Sequence, residues 1–324
     1  MEQIQALADE LKGALTGATS VVISTHLNPD GDALGSSLAF AFVLDQLGVP
    51  CEVICHNQAP YNLQFLPALS RVKLDPAGTH DFGVALDLDS LHRLGRHENY
   101  FASLPALAVI DHHQPHEKPG TIRIVDPKAP ATALILFRLF KAWQIAWTAD
   151  IATCLLAGIV TDTGSFRYPN TTDEALEASA ELLAAGGNIS LIAEEVYAKR
   201  PLASVRLLGR TLDKMKLSEG DRIAWAALGP EDFADTGASE SHTEGLVNEL
   251  LSINTVQMAA ILRQPFPDKL IRASIRSRGS YDVAQAVRPF GGGGHRNAAG
   301  CTFEGTLPDA ESQLVGALRA CLES

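Results

Sequence analysis

The sequence predicts an α/β protein of two domains, an N-terminal, mostly parallel sheet flanked by helices and then a smaller C-terminal α/β domain. Three observations carry this. Short apolar runs rich in β-branched residues alternate with segments of helical spacing, the pattern of a parallel sheet with helices on its faces. Three of those runs end in aspartate or histidine, and open α/β sheets bind ligands at their carboxyl ends. The pattern then changes beyond Gly186-Gly187, and 324 residues hold two such units at ~100–200 residues per domain.

The chain opens with an acidic amphipathic helix over 1–17, with Ile4, Leu7, Leu11 and Leu15 on one face and neither the basic start nor the apolar stretch of a signal peptide. Strands are expected at 21–24, 51–55, 82–86 and 107–110, and a helix at 33–47 that stops at Gly48. Further helices fall at 131–143, 151–160 and 173–185, the last closed by Gly186-Gly187 and followed by 190–198 toward Pro201. The domains are therefore drawn at 1–187 and 216–324, with 188–215 as a helical linker. In the second domain 222–228, 256–263 and 270–276 read as strands, and 240–251 and 282–287 as helices.

Twenty-six Lys and Arg against thirty-eight Asp and Glu leave a net charge of −12, which opposes tracking of long nucleic acid through many phosphate contacts. The longest apolar runs, such as 151–160, fall well short of the ~18–20 residues a bilayer span needs. A cytoplasmic protein without a membrane partner is expected, and a homodimer is left open. The five cysteines form no paired C-x-x-C set, and an odd count is not a disulfide framework. Cys51 and Cys55 read as small apolar side chains on one side of a strand.

The chemistry sits at the strand ends. Residues 21–24 run into His26, Asp30 and Asp32; 82–86 into Asp87; 107–110 into Asp111, His112 and His113. Asp162, just after an apolar helix, adds another carboxylate. Four aspartates converging on one crevice would repel by ~4 kcal/mol per close pair at an effective dielectric near 20, so they need cations or they protonate. Two divalent ions cancel four carboxylates, and a mixed oxygen and imidazole set suits Mn²⁺, with Mg²⁺ as the alternative. Ions paired ~3.5–4 Å apart clamp the attacking and leaving oxygens in phosphoryl transfer. Taken singly, Asp30 and Asp173 read as helix N-caps.

Farther on, Gly292, Gly293 and Gly294 lack the Cβ that would keep backbone N–H groups from an anion. From Arg263 to Arg296 the chain holds seven Lys/Arg and two acids, locally +5, while the remainder carries −17. A basic island on an acidic protein suits a substrate of a few phosphates gripped by arginine. Arg276, Arg278, His295 and Arg296 flank the glycines, whereas Lys269 and Arg272 read as solvated surface. His56, His80, His92, His97, His116 and His242 fit no ligand spacing.

His26-Leu-Asn-Pro-Asp30-Gly-Asp32, Asp87, Asp111-His112-His113 and Asp162 resemble the four motifs of the DHH phosphoesterase superfamily. Gly291-Gly-Gly-Gly-His295-Arg-Asn-Ala-Ala-Gly300 resembles the signature of its DHHA1 partner domain. Together they span nearly the whole chain, and the combination is most similar to the bifunctional oligoribonuclease (nanoRNase) and pAp phosphatase branch. The resemblance implies an active-site cleft between the two domains, with His26, Asp30 and Asp87 around one ion and Asp32, Asp87, His112 and Asp162 around the other. Asp87 is taken over Asp89 because it directly ends the apolar run. By the same resemblance Asp111 would hydrogen-bond a histidine to fix its tautomer, and His113 would face the substrate phosphate.

The implied reaction uses water activated by two metal ions to cut short oligoribonucleotides to nucleoside 5′-monophosphates and pAp to AMP and phosphate. Two alternatives stand beside it. One is a phosphodiesterase for cyclic dinucleotides or pApA; the other, of a different class, is a catalytically inactive nucleotide-binding sensor, whose mark would be a missing ligand type.

Overall fold

The computed structural model describes residues 2–114 and 117–323. His116 lies outside them, as does the side chain of Ile4. The chain divides into two compact units, Met1–Lys199 and Arg200–Ser324.

In the first unit β1 (Val21–Thr25), β2 (Cys51–Ile54), β3 (Val72–Lys73), β4 (Phe82–Leu86), β5 (Ala106–Asp111) and β6 (Ile122–Val125) form one sheet in the order β3-β2-β1-β4-β5-β6. Every neighbouring pair is parallel. The helices are α1 (Glu2–Gly17), α2 (Gly31–Leu47), α3 (Glu98–Ala102), α4 (Thr132–Ala142), α5 (Ala149–Asp162), α6 (Asp173–Ala184) and α7 (Ile189–Ala193). The two-residue period of β1 sorts its side chains: Val21 and Ile23 join the core built with α1, α2, α4 and α5, while Val22 packs with Leu94 and Phe101 on the opposite face. Burial on both faces explains why these strands read as continuous apolar runs. Chain order reverses between β1 and β4, and such a switch point opens a crevice at the carboxyl ends.

The start of α2 is set by Asp30, whose carboxylate accepts from the amide of Ala33, and its end by Gly48 in the left-handed region (φ 71°). Asp173 does not cap α6; the preceding Thr172 does, accepting from the Ala175 amide. Helices α2 and α5 approach through glycine. A Cβ on Gly35 would stand 2.3 Å from the carbonyl oxygen of Cys154, and one on Gly158 2.5 Å from Oδ1 of Asp32. That contact brings the start of α2 and the end of α5 to one place.

The second unit contains α8 (Leu202–Asp213), β7 (Lys216–Ser218), β8 (Ile223–Leu228), α9 (Pro230–Thr236), α10 (Leu246–Leu251), β9 (Met258–Arg263), β10 (Ile271–Ser277), α11 (Val283–Val287), β11 (Gly293–His295), β12 (Ala298–Phe303) and α12 (Leu307–Glu323). Its sheet runs β11-β12-β10-β9-β8-β7, with β8 and β9 parallel and the other pairs antiparallel. Of the stretch read as a linker, α7 lies in the first unit and α8 in the second. The single helix expected over 240–251 is broken: Glu240–Thr243 is a short 3₁₀ turn, and α10 begins only after Gly245 at φ 78°. Ile271, Ala273 and Ile275 of β10 pack against Leu314 and Leu318 of α12 and against α11, which turns Arg272, Ser274 and Arg276 to the other face. Among the described residues no helix is long and apolar enough to cross a membrane.

Candidate active site

His26 follows β1 and is buried. Its Nδ1 lies 2.8 Å from the carbonyl oxygen of Leu27; a carbonyl only accepts, so the proton is on Nδ1 and Nε2 is the atom turned inward. Nε2 stands 3.3 Å from Oδ2 of Asp87 and 3.7 Å from Oδ2 of Asp30. His112 repeats the arrangement after β5. Its Nδ1 faces the carbonyl of Ala129 at 3.2 Å, and Nε2 lies 3.1 Å from Oδ2 of Asp162 and 3.4 Å from Oδ1 of Asp87.

Asp87, which ends β4 in a left-handed conformation (φ 60°), thus sits between the two imidazoles with one oxygen toward each. Its backbone is held by an amide bond of 3.0 Å to Ile110. Asp32, in the first turn of α2 and fully buried, accepts from the amides of Thr132 (2.6 Å) and Ala133 (2.9 Å) and from the Ser36 hydroxyl (3.2 Å). Those amides are orphan donors at the start of α4, so Asp32 caps a helix other than its own. Asp111 accepts from both the amide and Nδ1 of His113, at 3.1 and 2.8 Å; the histidine it orients is His113 and not its neighbour.

Within the first unit three sets of side chains each bring their donor atoms within 4.8 Å of one another: His26, Asp30 and Asp87; Asp32, His112 and Asp162; and Asp87, Asp111 and His113. Asp89 joins none of them. Asp30 caps its helix through one oxygen and faces His26 with the other. The donor chemistry fits divalent ions, because each ring hands its Nδ1 proton to a carbonyl and aims Nε2 at carboxylates.

Burial and the close packing of charges shift the titration of the groups in this cluster. Burial raises Asp32 well above the ordinary carboxylate value, and Asp87 and Asp162 add to it. Burial likewise lifts Asp162 to about 6 against the pull of His112. Burial works the other way on the imidazoles, yet the neighbouring carboxylates outweigh it, raising His26 to about 10 and His112 to about 12. Burial would also lift Asp87, but His112 and His26 hold it well below the usual range. Imidazoles and carboxylates in this cluster thus each favour the charged form of the other.

In the second unit strand pairing places the basic residues together. Arg276 is opposite Ala298, and His295 opposite the same Ala298; Ser274 is opposite Gly300, and Gly293 opposite the same Gly300. Residues directly opposite share a face, so Ser274, Arg276, Gly293 and His295 lie on one side of the sheet, joined by Arg263 through its pairing with Arg272. Arg263 donates to Ser274 Oγ at 2.8 Å and to Glu240 at 3.1 Å. Gly245 and Val247 close a small cavity whose other walls include Ile261, Arg263, Ser274 and Arg276.

The glycine stretch is a strand edge and not an open loop. The amides of Gly291 and Gly292 donate to Arg288 and Val287, and β11 pairs with β12. Arg296 is turned to the carbonyl of Ser280, and Arg278 lies exposed just past β10, its amide bonded to Gln257. Arg263 and Ser274 were not singled out from the sequence as site residues. The alternation Ile271-Arg-Ala-Ser-Ile-Arg276 was the signal that could have shown Ser274 on the arginine face.

Of the remaining described histidines, His56, His80, His97 and His242 are engaged in local hydrogen bonds, and His92 meets Glu98. Cys51, Cys55, Cys154 and Cys301 are free thiols.

Residues 20–159 match the DHH family, N-terminal domain, and residues 221–324 the DHHA1 domain. A protein of Thermus thermophilus named bifunctional oligoribonuclease and PAP phosphatase NrnA is 34% identical over 327 residues, covering 98% of this chain and 94% of that one. A solved structure described as an exopolyphosphatase-related protein from Bacteroides fragilis superposes with a TM-score of 0.91 at 30% identity, covering 98% of this chain and 96% of that one. An Enterococcus faecalis relative, named a probable manganese-dependent inorganic pyrophosphatase, is 23% identical over 278 residues, covering 82% and 80%. Fold, site and these likenesses together define an enzyme that hydrolyses phosphoester bonds. The chain belongs to the DHH phosphoesterase family, in the branch that pairs the DHH domain with DHHA1 and includes the Thermus protein.

Proposed function

We propose that this protein hydrolyses short oligoribonucleotides to nucleoside 5′-monophosphates and pAp to AMP and phosphate, using two divalent cations, Mn²⁺ foremost. The observation that carries the reading is the division of the Asp87 carboxylate between His26 and His112. One ion would be held by His26, Asp30 and Asp87, the other by Asp32, Asp87, His112 and Asp162. When bound, the pair supplies an activated water and positive charge for the transition state.

The chain's own residues do the rest. Asp111 holds the ring of His113, which would meet a phosphate oxygen through Nε2. Water adds to phosphorus, the P–O bond to the leaving oxygen breaks, and that oxygen takes up a proton. The basic face of the second unit, with Arg276, His295 and Gly293 beside Arg263 and Ser274, would hold the part of the nucleotide that does not react. Arg278 and Arg296 would flank that face, and Gly292 and Gly294 would shape the strand edge that carries Gly293. The acidic remainder of the chain favours short substrates in the cytoplasm over long nucleic acid.

The test is a panel of pAp, RNA dimers to pentamers, pApA, a cyclic dinucleotide and a thirty-nucleotide strand, each with Mn²⁺. Fast turnover of pAp and the short RNAs, falling steeply with length, is expected. Equal rates per enzyme on the long strand and a trimer at moderate salt would overturn it.

A further inference from the structure

Thr132 is the first residue of α4 and is fully buried. Its hydroxyl donates to Oδ1 of Asp87 at 3.1 Å, while its amide donates to Oδ2 of Asp32 at 2.6 Å. One residue therefore touches the carboxylate set between the two clusters and a carboxylate of the second cluster. The oxygen it grips is the one 3.4 Å from Nε2 of His112, and the other oxygen is the one 3.3 Å from Nε2 of His26.

We propose that Thr132 is a positioning residue that locks the rotation of the Asp87 carboxylate, so that its two oxygens serve two different cations and not one. The inference rests on the two-cation reading above. A carboxylate on a single Cα–Cβ–Cγ stem turns about its last bond with little hindrance, and an unrestrained one can offer both oxygens to a single ion. A hydroxyl bond to one oxygen removes that freedom. The amide of the same residue is fixed by its place at the helix start, so Asp32 and Asp87 are referred to one rigid element, α4. The threonine methyl contributes nothing to this grip; the hydroxyl alone does.

The test compares wild type, Thr132→Val, Thr132→Ala and Thr132→Ser, each stripped of metal and titrated with Mn²⁺ by calorimetry, with bound ions counted after dialysis. Wild type and Thr132→Ser should take up two ions. In Thr132→Val and Thr132→Ala the second ion should bind about 10–100-fold more weakly, the range for lost orienting bonds around a metal ligand, while the first stays within about threefold. Thermal melting checks that the variants are folded, and the alanine variant answers if valine crowds the site. Two ions bound at wild-type affinity in both Val and Ala would overturn the proposal, as would a serine variant as weak as valine, or equal weakening of both ions. A wild type that takes up a single ion would instead overturn the two-cation reading, and this inference with it.

Discussion

Nε2 of His26 stands 3.3 Å from Oδ2 of Asp87, on the side of that carboxylate away from His112. Neither cluster can be dismantled without changing what Asp87 faces. Removing a carboxylate from the second cluster by Asp32→Ala or Asp162→Ala should therefore abolish turnover of pAp and of RNA dimers alike, by well over ~100-fold, and chelation should reproduce the loss. Initial rates on both substrates, with metal content measured in parallel, check this. Strong activity in thoroughly demetallated protein would sink the mechanism.

Asp111→Asn should be milder. Asp111 bonds to His113 at 2.8 Å and lies outside the two sets assigned to the ions, so a fall of about 10–100-fold in kcat with unchanged Mn²⁺ uptake is expected. A loss of bound metal in this variant would make Asp111 a ligand.

The three glycines should separate by substitution. A Cβ on Gly294 would stand 2.4 Å from the carbonyl oxygen of Ala298 at a φ of 137°, and one on Gly292 2.6 Å from that of Gly300, whereas Gly293 meets nothing within 4 Å. Gly292→Ala or Gly294→Ala should lower the melting temperature, through the loss of ~1–3 kcal/mol of stability typical of overpacking. Gly293→Val should leave it within a degree or two and raise KM for nucleotides. A stable Gly293→Val enzyme with wild-type KM would remove this edge from the binding face.

Arg276→Ala should discriminate between substrates. It deletes a charge from the basic face without touching the first unit, so pAp and an RNA dimer should lose affinity, with kcat also falling if the grip orients the scissile phosphate. Bis-p-nitrophenyl phosphate, which has no nucleotide to hold, should be cut almost as before. Equal losses on all three would mean that Arg276 supports the fold.

Asp81 offers a pH test of stability. Its carboxylate accepts from the amides of Thr19 and Ser20 and from the Thr19 hydroxyl, which hold it down at about 2, below its usual 3.8. A depressed carboxyl stabilises the fold above its unfolded value and ceases to as pH falls through the folded one. Asp81→Asn should therefore melt below wild type near neutral pH, and the gap should narrow as pH drops from about 4 toward about 2. A gap that stays constant over that range would show that the carboxylate's charge contributes nothing.

What was legible in the sequence follows from physics on single elements. The strands β1, β2, β4 and β5 announce themselves because both their faces are buried, and the site residues do so because they stand at the ends of such runs. β3 has two residues, too few to show a period. β11 and β12 were missed because Gly and Ala carry little strand preference; β12 forms by pairing back onto β10, and β11 by pairing onto β12. The link from Asp32 to Thr132 spans 100 residues, so no local pattern could foretell that a side chain of α2 caps α4. Gly245 looked like an ordinary member of a helical stretch until its positive φ broke it.

The alternation of β10 has a consequence for quality control. Ile271, Ala273 and Ile275 face the core, and Arg272, Ser274 and Arg276 face away. A slip of one residue against β9 would bury arginine and expose isoleucine, which no folded state of this unit could tolerate. The apolar layer thus acts as a proofreader for the basic layer on the other side of the strand. A second unit with its apolar layer in register therefore has its arginines at the spacing that the sheet sets.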